Sequence, residues 1–197
     1  MVLKTCRPDL SARLISAPDF FLKAGVATEV EHDNLVACLD VQEEMGRVFT
    51  ARAHVEGMDF EAWARGNRRE GNYYTRGLEL LWQTCQGLSA LHERSRHLNI
   101  HPGNLLVTPL MAKLTDWDPR FLGSMEMTPE PFPFRPEYAG YRAPEMQVRG
   151  SFLSYPSTDL YAVAGLLYRL VLGEHPGRDP SGNLSAIKGL DEELARF

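Results

Sequence analysis

The polar residues best suited to chemistry stand close together in the middle of the chain. Asn99, His101 and Asn104 share one short segment, and Asp116 follows it. Amide and carboxylate oxygens are hard ligands of the kind that Mg²⁺ takes in phosphate-binding sites. The segment therefore predicts a magnesium–phosphate site, with Asn104 and Asp116 as the candidate metal ligands.

Short secondary-structure elements must hold these side chains in place. Pro102 and Gly103 stop a long helical pattern and force a loop. Residues 105–107 and 113–115 then predict two short strands that pair across a turn. Such a loop–strand–strand unit brings Asp116 beside the polar loop.

Three motifs in this order resemble those of the protein kinase family. The catalytic loop of that family reads H-R-D-x-x-x-x-N, and its metal-binding turn reads D-F-G. This chain has His97-Leu98-Asn99 followed by Asn104, then Asp116-Trp117-Asp118, and later Ala143-Pro144-Glu145 in place of A-P-E. The resemblance implies an α+β, protein-kinase-like fold with a reduced small lobe and a mainly helical large lobe.

The catalytic loop departs from the family pattern at the proton acceptor. Asn99 stands where kinases have Asp, and an amide does not take up the proton of a substrate hydroxyl as a carboxylate does. His101 replaces the Lys usually found two residues later, and the resemblance gives His97 a structural role. The chain thus resembles a pseudokinase, a kinase-like domain with impaired catalysis, in which we expect no catalytic residue.

Four residues are candidates for nucleotide binding by the same resemblance. Lys4, on a strand similar to V-A-I-K, would contact the α and β phosphates. Leu106 would form the floor of the adenine pocket. Asn104 and Asp116 keep the residue types that hold Mg²⁺. The pattern requires no cofactor, and ATP with Mg²⁺ is the ligand expected if one binds.

The resemblance also implies a small lobe that lacks its phosphate cover. If Lys4 lies on the third strand of the family, residues 1–56 form a small lobe without the first two strands, and no G-x-G-x-x-G occurs in the chain. Residues 57–197 would form a large lobe that ends shortly after its central helix. We therefore expect a domain truncated at both ends relative to the family.

The helix predicted from about Phe20 to Val30 corresponds to the αC helix of kinases. In the family this helix carries a Glu that pairs with the strand Lys. The aligned position is Lys23, or Ala24 after a shift of one residue, and neither is acidic. Lys4 is therefore expected to have no partner.

Arg52 occupies the position that guards the back of the adenine pocket in kinases. It lies near the end of the second strand of a hairpin predicted over residues 35–41 and 47–53. A guanidinium there is unusual because adenine pockets are mostly apolar. Two orientations stay open, one toward the pocket and one toward solvent on an edge strand.

The metal-binding turn differs from the family at its second and third residues. Trp117 replaces the Phe and is expected to pack under the αC helix. Asp118 replaces the Gly and removes backbone freedom from the turn. Asp118 is either an added metal ligand or, as we prefer, part of a locked or rearranged turn.

An apolar helix predicted over residues 159–172 resembles the central helix of the kinase large lobe. It is apolar on most sides, which is typical of a buried helix. Asp159 stands where kinases place an Asp that holds the backbone of the catalytic loop. Glu145 would lack its usual Arg and stay unpaired, or bind another group such as Arg178 or a partner chain.

Two further helices are predicted ahead of the catalytic loop. A short one over residues 58–65 should bury Phe60 and Trp63. The longest runs over residues 74–93, and its apolar residues recur at steps of three and four. The stripe expected to face the core consists of Leu78, Leu81, Trp82, Cys85, Leu88 and Leu91.

Composition and charge exclude several classes of protein. A net charge of −5 gives no electrostatic basis for binding nucleic acid or an anionic membrane. No apolar run approaches the ~18 residues that span a bilayer, and the N-terminus lacks a signal-peptide core. Cys6, Cys38 and Cys85 are scattered, which predicts free thiols in a reducing compartment and a cytoplasmic protein.

Three functions remain open on the sequence. The first is a scaffolding or regulatory module whose apolar flank, on residues 159–172, is covered by a protein partner or a second copy. The second is a weak Ser/Thr phosphotransferase that holds Mg²⁺–ATP with Lys4, Asn104 and Asp116. The third is a sensor that binds nucleotide and transfers nothing.

Overall fold

The computed structural model describes residues 1–6, 8, 11–12, 20–117, 136–147, 155–179 and 181–183. The strands within these residues are β1 (Val2–Thr5), β2 (Cys38–Glu44), β3 (Arg47–Arg52), β4 (Met58–Asp59), β5 (Leu105–Val107) and β6 (Ala112–Leu114). The α-helices are α1 (Phe20–Glu29), α2 (Phe60–Asn67), α3 (Tyr73–His92) and α4 (Pro156–Leu172). Short 3-10 turns cover Pro102–Asn104, Pro136–Tyr141 and Pro144–Gln147. The predicted α+β class is confirmed.

The first sheet is antiparallel, in the order β1-β3-β2. Strands β2 and β3 form the predicted hairpin, which turns at Met45 and Gly46 with φ of 50° and 74°. The hairpin starts at Cys38 and not at Leu35, because Leu35 instead bridges Leu114 of the second sheet. Since β3 is the central strand, Arg52 does not lie on a sheet edge, and that alternative is wrong.

The second sheet contains β4, β5 and β6 and carries the candidate site. Leu105 faces Leu114 across the antiparallel pair of β5 and β6, as the strand–strand prediction requires. The turn between them is held by the Thr108 N–H, which donates to the Met111 carbonyl at 2.9 Å. The pair is fixed to the segment after α1, because the Leu114 N–H donates to the Asn34 carbonyl at 2.8 Å.

Helix α2 follows directly from β4 and buries the residues predicted for it. The Asp59 carboxylate caps the helix by accepting the Ala62 N–H at 2.7 Å, a common way of satisfying a free amide at a helix start. Phe60 and Trp63 are buried. Trp63 stacks on Tyr73 at 5.3 Å between ring centroids, which attaches α2 to the start of α3.

Helices α3 and α4 pack closely at both ends of their contact. The Tyr73 hydroxyl donates to the Leu170 carbonyl at 3.2 Å, and His92 contacts Asp159 at 2.8 Å. The start of α3 therefore meets the end of α4, so the two helices run in opposite directions. Gly173, at φ 79°, ends α4 in the left-handed conformation that glycine adopts without strain.

The apolar residues that α3 and α4 bury differ in part from those predicted, because each helix also has apolar residues on an exposed side. On α3, Leu78 and Trp82 are 53% and 62% exposed, whereas Leu81, Leu88 and Leu91 are buried as expected. The residues of α3 that are buried are Tyr73, Gly77, Leu80, Leu81, Thr84, Gly87, Leu88 and Leu91. Steps of three and four residues fit either of two neighbouring stripes, so periodicity alone does not select the buried one.

Helix α4 is likewise not buried on all sides. It begins at Pro156, earlier than predicted, and exposes Leu160 and Leu167. No described helix is both long enough and apolar enough to cross a bilayer. The three cysteines are free thiols, and Cys38 is buried beside β3.

Candidate active site

The loop at residues 97–104 is anchored by a carboxylate from α4. Asp159 is 1% exposed, and its two oxygens accept the backbone N–H groups of His97 and Leu98 at 2.8 and 2.7 Å. His92 approaches the same carboxylate. A buried carboxylate with several donors is well stabilised, and it fixes the backbone that carries Asn99.

The two asparagines of the loop are joined to Asp116 through backbone groups. The Asn99 side-chain amide donates to the Asp116 carbonyl at 3.0 Å. The Asn104 amide donates to the Asn99 carbonyl at 2.9 Å, and the Thr115 N–H donates to the Asn104 carbonyl at 3.0 Å. These bonds bring Asn99, Asn104 and Asp116 together, with the amide of Asn99 acting as a donor.

The carboxylate of Asp116 is paired with Lys4, which crosses from the first sheet. One carboxylate oxygen contacts the Lys4 ammonium directly. Asp116 itself has φ 62°, a left-handed conformation that Asp tolerates better than most residues. Lys4 was expected to lack a partner because α1 supplies no acid at the predicted position. The expectation is corrected here, since the partner comes from the metal-binding turn.

Arg52 reaches the other oxygen of Asp116 from the central strand. Its side chain is buried, with Nε 3.8 Å from Asp116 Oδ1. Its Nη2 donates to the Trp117 carbonyl at 3.3 Å. Arg52 therefore points inward, toward Asp116 and Trp117, and Asp116 lies between two cationic groups.

Comparison with known proteins assigns the family. The sequence profile described as "Protein kinase domain" matches residues 21–196 of the 197-residue chain. This chain belongs to the protein kinase family. The kinase-like fold expected from the catalytic-loop motifs is thereby confirmed, and the mixed structure of small antiparallel sheets and helices agrees with it.

Curated relatives of this kinase domain include three bacterial proteins. It is 30% identical over 213 aligned residues to "Serine/threonine-protein kinase pkn3" of Myxococcus xanthus, covering 98% of this chain and 36% of that protein. It is 25% identical to "Probable serine/threonine-protein kinase PknB" of Lactococcus lactis, covering 98% and 30%. It is 27% identical to "Serine/threonine-protein kinase PrkC" of Bacillus subtilis, covering 88% and 26%. The kinase domain thus spans about a third of the length of these relatives or less.

The family commonly uses Mg²⁺ with ATP, but the donors of this kinase domain do not fit the ion as they are arranged. Mg²⁺ requires oxygen ligands at about 2.0–2.1 Å in near-octahedral geometry. A metal on one oxygen of Asp116 would displace Lys4, and a metal on the other would meet the Arg52 guanidinium. Among the described residues, no group of three acidic, His or Cys side chains is placed to hold a metal ion.

His97 is fully buried at the start of the loop. It is 0% exposed, and its Nδ1 accepts the Asn99 N–H at 3.3 Å. Burial lowers the pKa of His97 to about 4, although the charge of Asp159 opposes the change. The imidazole is therefore neutral near pH 7 and supports the backbone that carries Asn99.

His101 and Tyr138 form a contact that the sequence did not predict. Their rings stack with centroids 4.4 Å apart. The Nδ1 atom of His101 accepts the Gly103 N–H at 3.2 Å, so a neutral ring carries its hydrogen on Nε2. An aromatic ring consequently covers one side of the catalytic loop. The signal available in the sequence was Tyr138 itself, which stands where the family has a small Thr.

The remaining predicted residues lie around this centre. Trp117 is buried in the core, and Leu106 is half-buried on β5. Glu145 is not unpaired, because it accepts a hydrogen bond from the Thr158 hydroxyl at 2.6 Å. Its partner belongs to the first turn of α4 and is not Arg178. Asp118 and the side chain of Lys23 lie outside the described residues.

Proposed function

We propose that this kinase domain is a pseudokinase that transfers no phosphate and acts by contact with another protein. The observation that carries the proposal is the amide of Asn99, which donates to the Asp116 carbonyl at 3.0 Å. An amide has no basicity near neutral pH, and a positioned general base typically contributes about 10²–10⁴-fold to a rate. Replacing Asn99 by Asp to restore a carboxylate would also remove the hydrogen bond from the Asn99 amide to the Asp116 carbonyl.

A second observation supports the loss of transfer. Phosphoryl transfer depends mainly on positioning and on neutralising the charge of the phosphates. Here the groups available for those tasks, Lys4 and Asp116, are paired with each other. Neither is then free to hold phosphate or metal in the present arrangement.

The interaction surface that we propose begins on α3. Tyr74, Leu78 and Trp82 follow one another at intervals of one helical turn and are all more than half exposed. On the opposite flank of the helix, Arg76 donates a hydrogen bond to the Pro109 carbonyl, and the Gln83 side chain accepts one from the Ala112 N–H. Both partners belong to the β5–β6 turn or adjoin it. The α3 stripe (Tyr74, Leu78 and Trp82) therefore lies away from the second sheet.

Helix α4 extends the same surface. Leu160, Ala164 and Leu167 are exposed on one side of it, and they form the α4 stripe. Helices α3 and α4 pack against each other in opposite directions, and we propose that the two stripes form one surface across the pair. A contiguous apolar patch on a protein surface commonly marks a site of protein–protein interaction. Apolar side chains spaced by about one helical turn suit an apolar partner surface, and we propose the apolar face of an amphipathic helix as the occupant.

Phosphate transfer from radioactive ATP to generic Ser/Thr substrates tests the catalytic part of the proposal. We expect the wild-type protein and Asp116→Ala to give the same background signal with Mg²⁺ present. Transfer by the wild type that disappears in Asp116→Ala would overturn the proposal in favour of the weak Ser/Thr phosphotransferase.

Photo-crosslinking tests the interaction part. A photoreactive amino acid replaces Trp82 in the α3 stripe, and a matched control carries it at Tyr155, which is also about half exposed but lies outside both stripes. We expect crosslinks to one other protein from position 82 and none from position 155. A crosslinked dimer of this chain would assign the surface to a second copy. Equal labelling from both positions, or none from either, would contradict the proposed surface.

Nucleotide sensing is the second candidate function. It is favoured by the two cations, Lys4 and Arg52, that meet the single carboxylate of Asp116 and leave an excess of positive charge. A thermal-shift titration with ATP distinguishes the candidates. A shift without transfer supports the sensor, and no shift under any condition supports a module that acts by protein contact alone.

A further inference from the structure

The buried guanidinium of Arg52 is incompletely paired. Arg52 is 4% exposed, and among its nitrogens Nη2 donates to the Trp117 carbonyl. Its Nε and Nη1 atoms, together with Asp116 Oδ1, are buried and make no hydrogen bond within the described structure. Buried donors without an acceptor are rare in folded proteins, so the two guanidinium nitrogens favour a bound group that accepts hydrogen bonds from them, whereas Asp116 Oδ1 faces Nε at 3.8 Å.

The charges around Asp116 favour an anion as that group. Lys4 and Arg52 each carry a positive charge, and Asp116 carries the negative charge that both approach. His97, which lies within electrostatic range of Arg52 and Asp116, is neutral near pH 7 because burial lowers its pKa. The cluster formed by Lys4, Arg52 and Asp116 therefore has a net positive charge, whereas a magnesium site needs an excess of anionic oxygen.

We propose that Arg52 takes the place of a divalent cation at Asp116, and that Lys4 and Arg52 receive a polyphosphate group without a metal ion. The proposal deepens the nucleotide-sensing candidate and rests on it. Arginine suits this task because its guanidinium stays charged when buried and presents several donors to phosphate oxygens. Lys4 lies 45% exposed, so it is able to turn from Asp116 to an entering phosphate.

Manganese binding tests whether Arg52 excludes the metal. Free Mn²⁺ is measured by electron paramagnetic resonance in two separate titrations, one with the Lys4→Ala variant and one with the Lys4→Ala/Arg52→Leu double variant. We expect no Mn²⁺ binding by Lys4→Ala, because Arg52 still faces Asp116, and binding by the double variant, in which the carboxylate is uncovered. Equal binding by both variants, or none by the double variant, would overturn the role of Arg52.

A substitution of Asp116 is expected to change nucleotide affinity in opposite directions in a metal-dependent site and in a metal-free site. It leaves Arg52 unchanged. Asp116→Asn keeps a residue type that tolerates the φ of 62° at this position. In a site that binds nucleotide through a metal, loss of the carboxylate weakens binding. Here it removes the charge that competes with phosphate, so we expect ATP in EDTA to bind about tenfold more tightly, as measured by calorimetry.

The ligands in the calorimetry distinguish the sources of the phosphate. ATP, tripolyphosphate and adenosine are each titrated in EDTA and in Mg²⁺. We expect ATP to bind the wild type equally well in both, and tighter binding of ATP than of tripolyphosphate would assign the site to a nucleotide. Binding that requires Mg²⁺, weaker binding by Asp116→Asn, or no binding of either polyphosphate would overturn the proposal. If ATP shifts the melting temperature with Mg²⁺ alone, the sensor stands and this inference fails.

Discussion

Arg169 and Glu61 form a bidentate ion pair that joins α4 to α2. Arg169 Nε lies 2.9 Å from Glu61 Oε2, and Nη2 lies 2.7 Å from Oε1. The two side chains are 6% and 15% exposed. Burial by itself would raise the pKa of Glu61, but the hydrogen bonds and charge of Arg169 hold it below its usual range. The pair thus links α4, which carries Asp159, to α2, the helix that directly follows the first strand of the second sheet.

Removing one partner of this pair should destabilise the fold strongly. Glu61→Gln leaves the buried Arg169 without a counter-ion, and we expect the free energy of unfolding in urea to fall by about 3 kcal/mol. The control is Glu79→Gln, which breaks the more exposed Arg76–Glu79 pair and should cost less than about 0.5 kcal/mol. Similar losses of unfolding free energy in the two variants would show that the buried pair contributes no more to stability than the exposed one.

The buried His97 should make the folded state sensitive to mild acid. Its folded-state pKa of about 4 lies below the ordinary value of 6.5 because of burial. Between these values the unfolded chain binds a proton that the folded chain does not, so stability falls as the pH falls. From pH 7 to pH 5 the loss from this group is about 2 kcal/mol.

His97→Asn is the matched variant for the acid measurement. Asparagine keeps an acceptor for the Asn99 N–H and does not titrate in this range. Urea unfolding at pH 7 and pH 5 should show a loss of stability in the wild type that exceeds the loss in the variant by about 2 kcal/mol. Parallel pH profiles for the two proteins would mean that His97 titrates normally in the folded state.

Close packing of α3 on α4 depends on the absence of a side chain at Gly77. A Cβ atom there would lie 2.3 Å from Leu170 Cδ1, and Leu170 is fully buried. We expect Gly77→Ala to lower the free energy of unfolding by about 1–3 kcal/mol. Gly25→Ala on α1 is the control, because nothing lies within 4 Å of the new atom. It should raise stability by about 0.5–1 kcal/mol, since alanine favours a helix over glycine.

Local features of the fold were predictable from the sequence. The hairpin of β2 and β3 and the pair of β5 and β6 follow from apolar runs separated by turn residues, which act over short distances along the chain. The catalytic loop with Asp116 beside Asn99 followed from motif order. The position of Asp159 against the loop backbone was expected from the family resemblance.

Contacts between distant segments were not predictable in this way. Lys4 meets Asp116 because β1 pairs with β3 in a register that places Val2 opposite Arg52, and no sequence pattern specifies that register. The exposure of Leu78 and Trp82 depends on which flank of α3 meets α4. The Glu61–Arg169 pair had one sequence signal, an arginine within the apolar pattern of α4, but nothing in the sequence identified its partner.

Restoring a carboxylate at position 99 should not restore phosphate transfer. In Asn99→Asp the new acid is present, but Lys4 and Arg52 still engage the Asp116 carboxylate, so that carboxylate holds no metal ion for the transfer. The substitution also removes the bond from the Asn99 amide to the Asp116 carbonyl and sets two oxygens against each other. We expect transfer from radioactive ATP to stay at background, and the free energy of unfolding to fall by about 1–2 kcal/mol. Asn99→Ala is the control, because it loses the same bond without adding charge and should lose less stability. Transfer that appears in Asn99→Asp would mean that the missing proton acceptor was the sole defect, and that the Lys4–Asp116 pair opens readily when nucleotide arrives.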